Sequence, residues 1–382
     1  MSTNLTASQT ADFLKRGFTR RHLGRLATML TAGAAMPFYN EPALAQLSRV
    51  RNIPSDAVLI NANENPLGPC PEAADAIRAV VVKGGRYNYD MTDGLITTLS
   101  ELEGVKPSYV AAYAGSSLPL HTTVLAFCSP TKPLITGDPG YEAGPRAAQF
   151  IGAKVIKVPL RADGSHDVQA MVAADPNAGV LYLCNPNNPT GTLTSRADIE
   201  WILANKPKGS ILLLDEAYIH FSDAQHCTDL VAHDGDVVIL RTFSKLFGMA
   251  GLRAGAAIGR PDLLEKIRGQ GSEMMPITGM VGAETSLKVK TLVPERKANL
   301  KAVREETFAF LEKNNIKFMP SVSNCFMMDT KRPGMQFVEA MRNEKVYIGR
   351  VWPAWPTWAR VTVGTHDEML KFQAACLKVY SA

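Results

Sequence analysis

The chain has 382 residues, of which 46% are hydrophobic and 20% charged, and a formal net charge of +5. This composition is typical of a globular protein with a large apolar core. The first 45 residues carry +3 and the remainder only +2, so a nucleic-acid partner is not indicated. Six scattered cysteines without a CxxC pair predict neither a metal site nor a disulfide scaffold.

Residues 1–45 have the pattern of an export signal. A twin-arginine pair, Arg20-Arg21, precedes an apolar stretch at 26–38, and Ala43-Leu44-Ala45 matches a small-x-small cleavage site. The apolar stretch is too short to span a bilayer, so no stable membrane insertion is expected. The segment resembles a twin-arginine signal, which predicts a bacterial protein exported folded to the periplasm by the twin-arginine translocase. The alternative is a disordered or membrane-surface basic tail. We exclude residues 1–45 from the predicted fold.

The next part of the chain alternates loops with helical patterns. Residues 61–69, NANENPLGP, cannot form a helix interior, and a helical pattern follows at 73–82. A glycine-flanked aromatic loop, RYNY, occupies 86–89. Gly115-Ser116-Ser117, followed by Pro119, marks the start of another helix. Free N–H groups at such a start favour an anion, although this signal is weak alone.

Short apolar runs alternate with helical segments from 134 to 240. The runs are 134–135, 155–158, 180–183, 211–214 and 237–240. This alternation predicts a mainly parallel, seven-stranded-type sheet sandwiched by helices. Ligands of such sheets bind beyond the carboxyl ends of the strands. The polar segments there are 185–191, 215–218 and 242–245.

The pattern changes after residue 268 to longer helices followed by short strands. We therefore predict an α/β protein with an N-terminal arm at 46–75 that belongs to a smaller domain. The large domain is placed at 76–268, and the smaller α+β domain at 269–382.

A lysine follows the apolar run at 237–240, where a buried strand gives way to a glycine-containing loop. Desolvation and a nearby cation would lower the pKa of Lys245, leaving an amine that can form a Schiff base. Thr242, Ser244 and Arg253 supply two hydroxyls and a guanidinium, which suit a phosphate dianion. The alternative is an ordinary surface lysine.

Other strand ends add complementary groups. Asp215 is a carboxylate at the end of an apolar run, and it needs a cation if it is buried. Tyr218 offers a phenol, and Asn188, in the polar segment at 185–191, offers an amide. Together with Lys245, these groups describe a pocket for a planar phosphorylated heterocycle that carries an aldehyde.

The chain resembles the fold-type I pyridoxal-phosphate enzymes of aminotransferase class I/II, in the histidinol-phosphate aminotransferase-like branch. The resemblance covers about 61–363. It rests on NANENPLGP, RYNY, CNPNNPTG, LLLDEAYIHF, RTFSK followed by Arg253, and RVTVGT. It implies pyridoxal 5′-phosphate as cofactor and a homodimer with shared active sites.

The resemblance also assigns roles in cofactor binding. Lys245 would bind the cofactor covalently and carry a proton, and Asp215 would pair with the pyridine nitrogen. Hydrogen bonds to the ring oxygen would come from Asn188 and Tyr218, and Tyr141 would stack on the ring. The phosphate would be held by Ser116, Ser117, Thr242, Ser244 and Arg253, with Tyr87 reaching the phosphate of the neighbouring subunit.

Substrate binding is assigned by the same resemblance, with departures. Arg360 would bind the carboxylate of the substrate or the phosphate of histidinol phosphate, and Arg350, Asn324 and Asn65 would lie near the substrate. The branch more often has Ala-Asp or Ser-Asp where this chain has Ser116-Ser117, and often an aromatic residue at Leu67. Three tryptophans, at 352, 355 and 358, either pack or line an apolar substrate pocket.

The resulting prediction is an aminotransferase that moves an amino group between an amino acid, apolar or aromatic, and a 2-oxo acid. A true histidinol-phosphate aminotransferase is a weaker alternative. The same cofactor would also serve a periplasmic racemase, lyase, decarboxylase or oxidase acting on an amino acid. A non-catalytic binding protein is disfavoured by the intact lysine, aspartate, tyrosine and arginine set.

Overall fold

The computed structural model describes residues 7–20 and 53–381, an α/β protein. A large sheet has an apolar cluster on each face, and the cluster that contains Leu213 is called the first core. A separate second core contains Ile60 and Phe326. The helices are α1 (Ala7–Lys15), α2 (Pro71–Val80), α3 (Tyr89–Glu103), α4 (Ser117–Phe127), α5 (Ala143–Phe150), α6 (Val168–Ala173), α7 (Arg196–Asn205), α8 (Thr228–Ala232), α9 (Pro261–Arg268), α10 (Ile277–Lys288), α11 (Leu292–Lys313), α12 (Gly334–Asn343) and α13 (His366–Ser381). The strands are β1 (Val58–Ile60), β2 (Val110–Tyr113), β3 (Leu134–Asp138), β4 (Val155–Pro159), β5 (Val180–Cys184), β6 (Ile211–Asp215), β7 (Val237–Thr242), β8 (Gly255–Gly259), β9 (Cys325–Asp329), β10 (Val346–Ile348), β11 (Val351–Trp352) and β12 (Trp355–Thr362).

A seven-stranded sheet in the order β2-β8-β7-β6-β5-β3-β4 forms the centre of the molecule. All neighbours are parallel except β8, which runs antiparallel to β2 and β7. Successive residues of β6 enter opposite faces: Leu212 and Leu214 join one apolar cluster and Leu213 the other. Both faces are therefore buried, which explains the continuous apolar runs and confirms the predicted fold class.

Two strands of this sheet, β2 and β8, were not predicted. Their sequences, VAAY and GAAIG, consist largely of small residues that give a weak strand signal. Small residues are needed where β8 passes under the loop before α4, because a Cβ on Gly255 would lie 2.6 Å from the carbonyl carbon of Gly115.

The second core is formed by the arm and the C-terminal part of the chain. Strand β1 pairs with β10, and β12 pairs antiparallel with β9 and β11. Val58 and Ile60 of the arm belong to this core. The arm was predicted to pack there.

We predicted a domain boundary at residue 269. The helix that follows it, α10, nevertheless packs with the large sheet and its helices rather than with the second core. Helix α10 contacts α2 and α3, and its Met280 and Ala283 belong to the first core. The first core also includes Leu292 at the start of α11, whereas Phe308 near the end of α11 belongs to the second. The change of core thus occurs along α11, where the sequence pattern is continuous helix.

Although residues 1–45 were excluded from the predicted fold, α1 and the turn after it contact the large sheet's side of the molecule. Phe18 is buried in the first core. Nη2 of Arg16 donates to the carbonyls of Leu125 (2.6 Å) and Cys128 (3.1 Å) at the end of α4. These carbonyls have no partner within the helix, so Arg16 caps its C-terminus. The rest of the proposed signal, residues 21–45, lies outside the described residues.

Other chain-wide features can be stated for 7–20 and 53–381. No helix in these ranges is long and apolar enough to cross a membrane. They contain no cluster of His, Cys, Asp and Glu suited to a metal ion. All six cysteines are buried, free thiols.

Replacing Phe18 by Ala should release α1 from the body of the protein. Truncating a buried Phe costs about 3–5 kcal/mol, and Phe18 is the residue of this segment that is buried in the first core. Limited proteolysis followed by mass spectrometry should then show faster cleavage within residues 7–20. Leu14→Ala is the matched control, because Leu14 lies in α1, close to Phe18 in the chain, but is 40% exposed. Equal cleavage of the two variants would show that α1 does not depend on Phe18.

Candidate active site

Three parallel strands deliver the predicted polar residues to one edge of the sheet. Asp215 ends β6, Thr242 ends β7, and Asn188 follows β5. In the strand register, Cys184 and Leu240 are the neighbours of Asp215 on either side. The groups that follow these strand ends therefore share one edge of the sheet.

The carboxylate of Asp215 is almost completely buried. It accepts hydrogen bonds from the hydroxyl of Tyr182 (2.9 Å) and the backbone N–H of Ala217 (3.2 Å). Burial raises the pKa of Asp215 to about 6, against the opposing effects of these bonds and of Lys245. The raised pKa indicates that Lys245 and the two hydrogen bonds only partly offset the burial of this carboxylate, so a further cation would be favourable beside it.

Lys245 and Tyr218 lie beside this carboxylate. The Nζ atom of Lys245 is 5.7 Å from the centroid of the Tyr218 ring. Nδ2 of Asn63, a residue in the left-handed region (φ 53°), donates to the Tyr218 hydroxyl at 3.1 Å. Burial raises the pKa of Tyr218 well above its ordinary value, so the phenol keeps its proton.

A set of hydroxyls and one guanidinium surrounds the start of α4. The Thr242 hydroxyl donates to Oγ of Ser244 (3.0 Å), which also accepts from Nη1 of Arg253 (3.4 Å). Ser116 and Ser117 form the N-cap and first residue of the helix. Gly115 has a φ of +93°, a conformation that favours glycine, and a Cβ there would also displace the guanidinium of Arg253. Helix N–H groups, hydroxyls and a guanidinium together suit a phosphate.

Arg360 is buried and has no ion-pair partner among the described carboxylates. Its Nη1 donates to Oδ1 of Asn188 (2.9 Å) and its Nη2 to the carbonyl of Asn61 (2.7 Å), while Nε has no partner. Burial, and then the charge of Arg350, lowers the pKa of Arg360. A buried guanidinium oriented only by neutral acceptors is a suitable site for a carboxylate.

Arg350 differs because it is already paired. Its Nη2 is 2.8 Å from Oε2 of Glu142, a residue that sequence reasoning did not identify. The guanidinium carbon of Arg350 is 4.7 Å from the centroid of the Trp352 ring, and that of Arg360 is 5.5 Å from the same centroid. Nε1 of Trp352 donates to the carbonyl of Gly140 (2.9 Å). This indole therefore joins the two arginines to the loop of Tyr141.

Two further predicted residues hold the arm in place. The Asn65 amide donates to the carbonyl of Leu246, next to Lys245, at 2.8 Å. Nδ2 of Asn324 donates to the carbonyl of Asn63 (3.2 Å), leaving its Oδ1 buried without a partner. These contacts position the lysine loop and the arm, a role that spacing alone did not suggest.

Several predicted side chains lie apart from this centre. Tyr87 is 68% exposed and contacts the ring of Tyr89. Trp355 and Trp358 pack against each other and line a separate groove of about 550 Å³ with Lys317 and Met319. The tryptophans thus mainly pack, and they do not by themselves indicate an apolar substrate.

A buried ion network below the sheet edge was also missed. Arg241 donates through Nε to Glu103 (2.8 Å) and through Nη1 to Glu216, the residue after Asp215. Although burial opposes it, the Arg241 guanidinium holds the pKa of Glu103 well below its ordinary value. Glu216 sits inside the LLLDEAYIHF motif, but its partners come from distant segments, so only the folded chain identifies it.

Asp215→Asn should stabilise the protein prepared without cofactor. The folded chain binds a proton at Asp215 more tightly than the unfolded chain does, so the carboxylate reduces stability as pH rises from about 4 to about 6. Asn does not titrate, and the free energy of unfolding should rise by about 1–3 kcal/mol at neutral pH. This difference should vanish near pH 4. Denaturant unfolding against pH measures it.

Asp262→Asn is the control with the opposite sign. Its hydrogen bond from Arg260 lowers the pKa of Asp262, so the native carboxylate adds stability above its unfolded pKa and loses it as pH falls. The amide should slightly destabilise the protein at neutral pH. If Asp215→Asn behaved in the same way, a cation from the chain would already satisfy Asp215.

Comparison with known proteins agrees with this geometry. The model of the family "Aminotransferase class I and II" matches residues 55–375. Histidinol-phosphate aminotransferase 1 of Nitrosococcus oceani is 33% identical over 323 residues, covering 83% of this chain and 87% of that protein. An aromatic amino acid aminotransferase of Cutibacterium acnes is 32% identical, with coverage of 78% and 86%.

A solved structure shows the same fold. The histidinol-phosphate aminotransferase of Sinorhizobium meliloti, in complex with pyridoxal-5′-phosphate, superposes with a TM-score of 0.78 at 23% identity, covering 91% of this chain and 98% of that one. The family match, the two relatives and the residues at the sheet edge lead to one conclusion: the chain belongs to the class I and II aminotransferases, enzymes that depend on pyridoxal phosphate.

Proposed function

We propose that this aminotransferase acts on a free amino acid whose α-carboxylate binds Arg360. The observation that carries the proposal is the buried Arg360 guanidinium, which has no carboxylate partner among the described residues. Asn188 and Asn61 fix its orientation, and its remaining N–H groups can bind a carboxylate in the bidentate manner. Binding there would hold the α-carbon in a defined position relative to Lys245.

The residues present fit pyridoxal phosphate. A protonated pyridine nitrogen would supply a further cation for the buried Asp215 carboxylate, and the phosphate would occupy the cradle of Ser116, Ser117, Thr242, Ser244 and Arg253. Asn188 and Tyr218 would donate to the ring oxygen, and Tyr141 would cover the ring face. When bound, the cofactor supplies an electrophilic aldehyde and an electron-withdrawing ring.

The chain's own groups would then divide the work. Arg360 would bind the α-carboxylate of the substrate, and the Asp215 carboxylate would keep the ring nitrogen of the cofactor protonated. Nζ of Lys245 would be the base that removes the proton from the substrate α-carbon and delivers it to C4′ of the cofactor. The Tyr218 hydroxyl, held by Asn63, stays protonated as a hydrogen-bond donor.

Lys245→Ala should retain cofactor through the phosphate and ring contacts but lose turnover by several orders of magnitude, because both the attachment point and the base are removed. Absorbance spectra with a panel of amino acids, in the presence and absence of a 2-oxo acid, measure turnover. Borohydride reduction of the wild type should fix the cofactor on the peptide that contains Lys245.

Lys288→Ala is the control, since Lys288 pairs with Glu284 on an exposed helix surface. Labelling at any other lysine would contradict the assignment of Lys245. Amino-acid consumption without any requirement for a 2-oxo acid would instead indicate a racemase, lyase, decarboxylase or oxidase.

A homodimer with shared active sites is part of the proposal. Tyr87, Tyr89, Val81 and Val82 are 60–88% exposed and follow one another after α2, so they form an apolar surface that a partner subunit would cover. Tyr87 would then reach the phosphate of that subunit. Sedimentation velocity at micromolar concentration tests it: a monomer that is fully active would contradict shared sites.

Export through the twin-arginine route is proposed from the sequence pattern at 20–45. This route carries folded proteins, and the residues just before Arg20 pack on the first core, so Arg20 follows a folded segment. Cleavage after Ala45 would also remove α1, and the cofactor would be acquired before transport.

Replacing Arg20 and Arg21 by Lys should therefore keep active enzyme in the cytoplasm, because the translocase reads the arginine pair. Activity assays of periplasmic and cytoplasmic fractions measure the distribution, with Lys15→Arg as the control. N-terminal sequencing of the wild type should begin after Ala45. Wild-type protein that stays in the cytoplasm with its first 45 residues intact would contradict export.

A further inference from the structure

Two arginines share one indole at the substrate end of the site. The guanidinium carbons of Arg350 and Arg360 lie 4.7 Å and 5.5 Å from the Trp352 ring centroid. Both side chains are largely buried, so their two positive charges lie close together with little screening. The arrangement would attract a substrate with two anionic groups, unless one charge is neutralised.

Glu142 supplies that neutralisation. Its Oε2 is 2.8 Å from Nη2 of Arg350, and the side chains are 28% and 11% exposed. No carboxylate of the described chain pairs with Arg360. The acidic side chain also comes from a fixed backbone: it directly precedes α5, and two residues earlier the Gly140 carbonyl accepts from Trp352. The net charge of the three groups is +1, which matches a single carboxylate.

We propose that Glu142 is a specificity residue that limits the enzyme to amino acids with an uncharged side chain. This inference rests on the proposed function, in which the α-carboxylate binds Arg360. A second carboxylate or a phosphate on the substrate would have to displace Glu142 from Arg350 or lie beside its negative charge. Either event weakens binding, so the carboxylate excludes dianionic substrates by repulsion as well as by competition.

The pair could instead act only as a latch, that is, as an ion pair that holds two parts of the fold together without affecting specificity. It joins the loop after β3, in the large sheet, to the loop before β11, in the second core, together with the Trp352–Gly140 hydrogen bond. A latch would affect every substrate to the same extent. Selectivity between a charged and an uncharged substrate of the same shape separates the two roles.

The test compares glutamate with glutamine, and glutarate with its monoamide, on the cofactor-loaded enzyme. Glu142→Gln keeps the size of the side chain and removes its charge. It should raise the glutamate-to-glutamine ratio of kcat/KM by about tenfold or more, because repulsion is replaced by an available guanidinium. Isothermal titration calorimetry should show a parallel gain in the affinity for glutarate relative to its monoamide.

Two further variants define the cause. Glu142→Gln combined with Arg350→Met should lose the gain, since the freed guanidinium is absent. Glu339→Gln is the matched control: it removes a carboxylate that is 2.8 Å from Arg342 on the exposed surface of α12 and should leave both ratios unchanged.

An unchanged ratio in Glu142→Gln, whether or not overall activity falls, would overturn the proposal and leave the pair as a latch. A gain that persists in the double variant would also overturn it. Failure of the proposed function would be distinct: no amino acid would be turned over by the wild type, yet the calorimetric preference for glutarate over its monoamide would still respond to Glu142.

Discussion

The burial of the Asp215 carboxylate is the constraint on which the rest of the site depends. A carboxylate enclosed at the end of a central parallel strand is costly, and here only a phenol, a backbone N–H and a nearby lysine oppose that cost. The position is therefore suited to a cation brought in by a ligand. In the proposed function, the ring nitrogen of pyridoxal phosphate would meet this requirement, and the phosphate cradle would hold the other end of the same molecule. The ion pair with the ring nitrogen would then offset the free-energy cost of burying Asp215.

At the other end of the site the buried group is a cation, and it would be stabilised by an anion from the ligand. Arg360 is a buried cation without an acid, so it is ready for a carboxylate, whereas Arg350 is already neutralised by Glu142. Charge balance distinguishes two arginines that look equivalent in sequence. Relatives of similar identity are named for histidinol phosphate and for aromatic amino acids, so overall similarity does not choose between these substrates. Local electrostatics gives the more specific criterion.

The site also depends on contacts between the two cores. Asn63 and Asn65 of the arm reach Tyr218 and the carbonyl after Lys245, while Arg360 comes from β12 of the second core. Movement of one core relative to the other would therefore change the distance between Arg360 and Lys245. The Glu142–Arg350 pair joins the same two parts of the fold, so the specificity proposed for Glu142 would depend on how the two cores meet.

The sequence by itself determined the fold class, because continuous apolar runs separated by helical patterns have few other solutions than a parallel sheet covered on both faces. It also determined which polar residues gather near Lys245, since parallel strands place their carboxyl ends at one edge. It did not reveal β2 and β8, whose small residues are chosen by close backbone approach, or the change of core along the uninterrupted helix α11. Nor did it reveal Tyr182, Glu142 and the packing of Phe18. These depend on contacts between segments far apart in the chain, and a pairing of charges or a buried contact exists only when tertiary structure has brought both partners together.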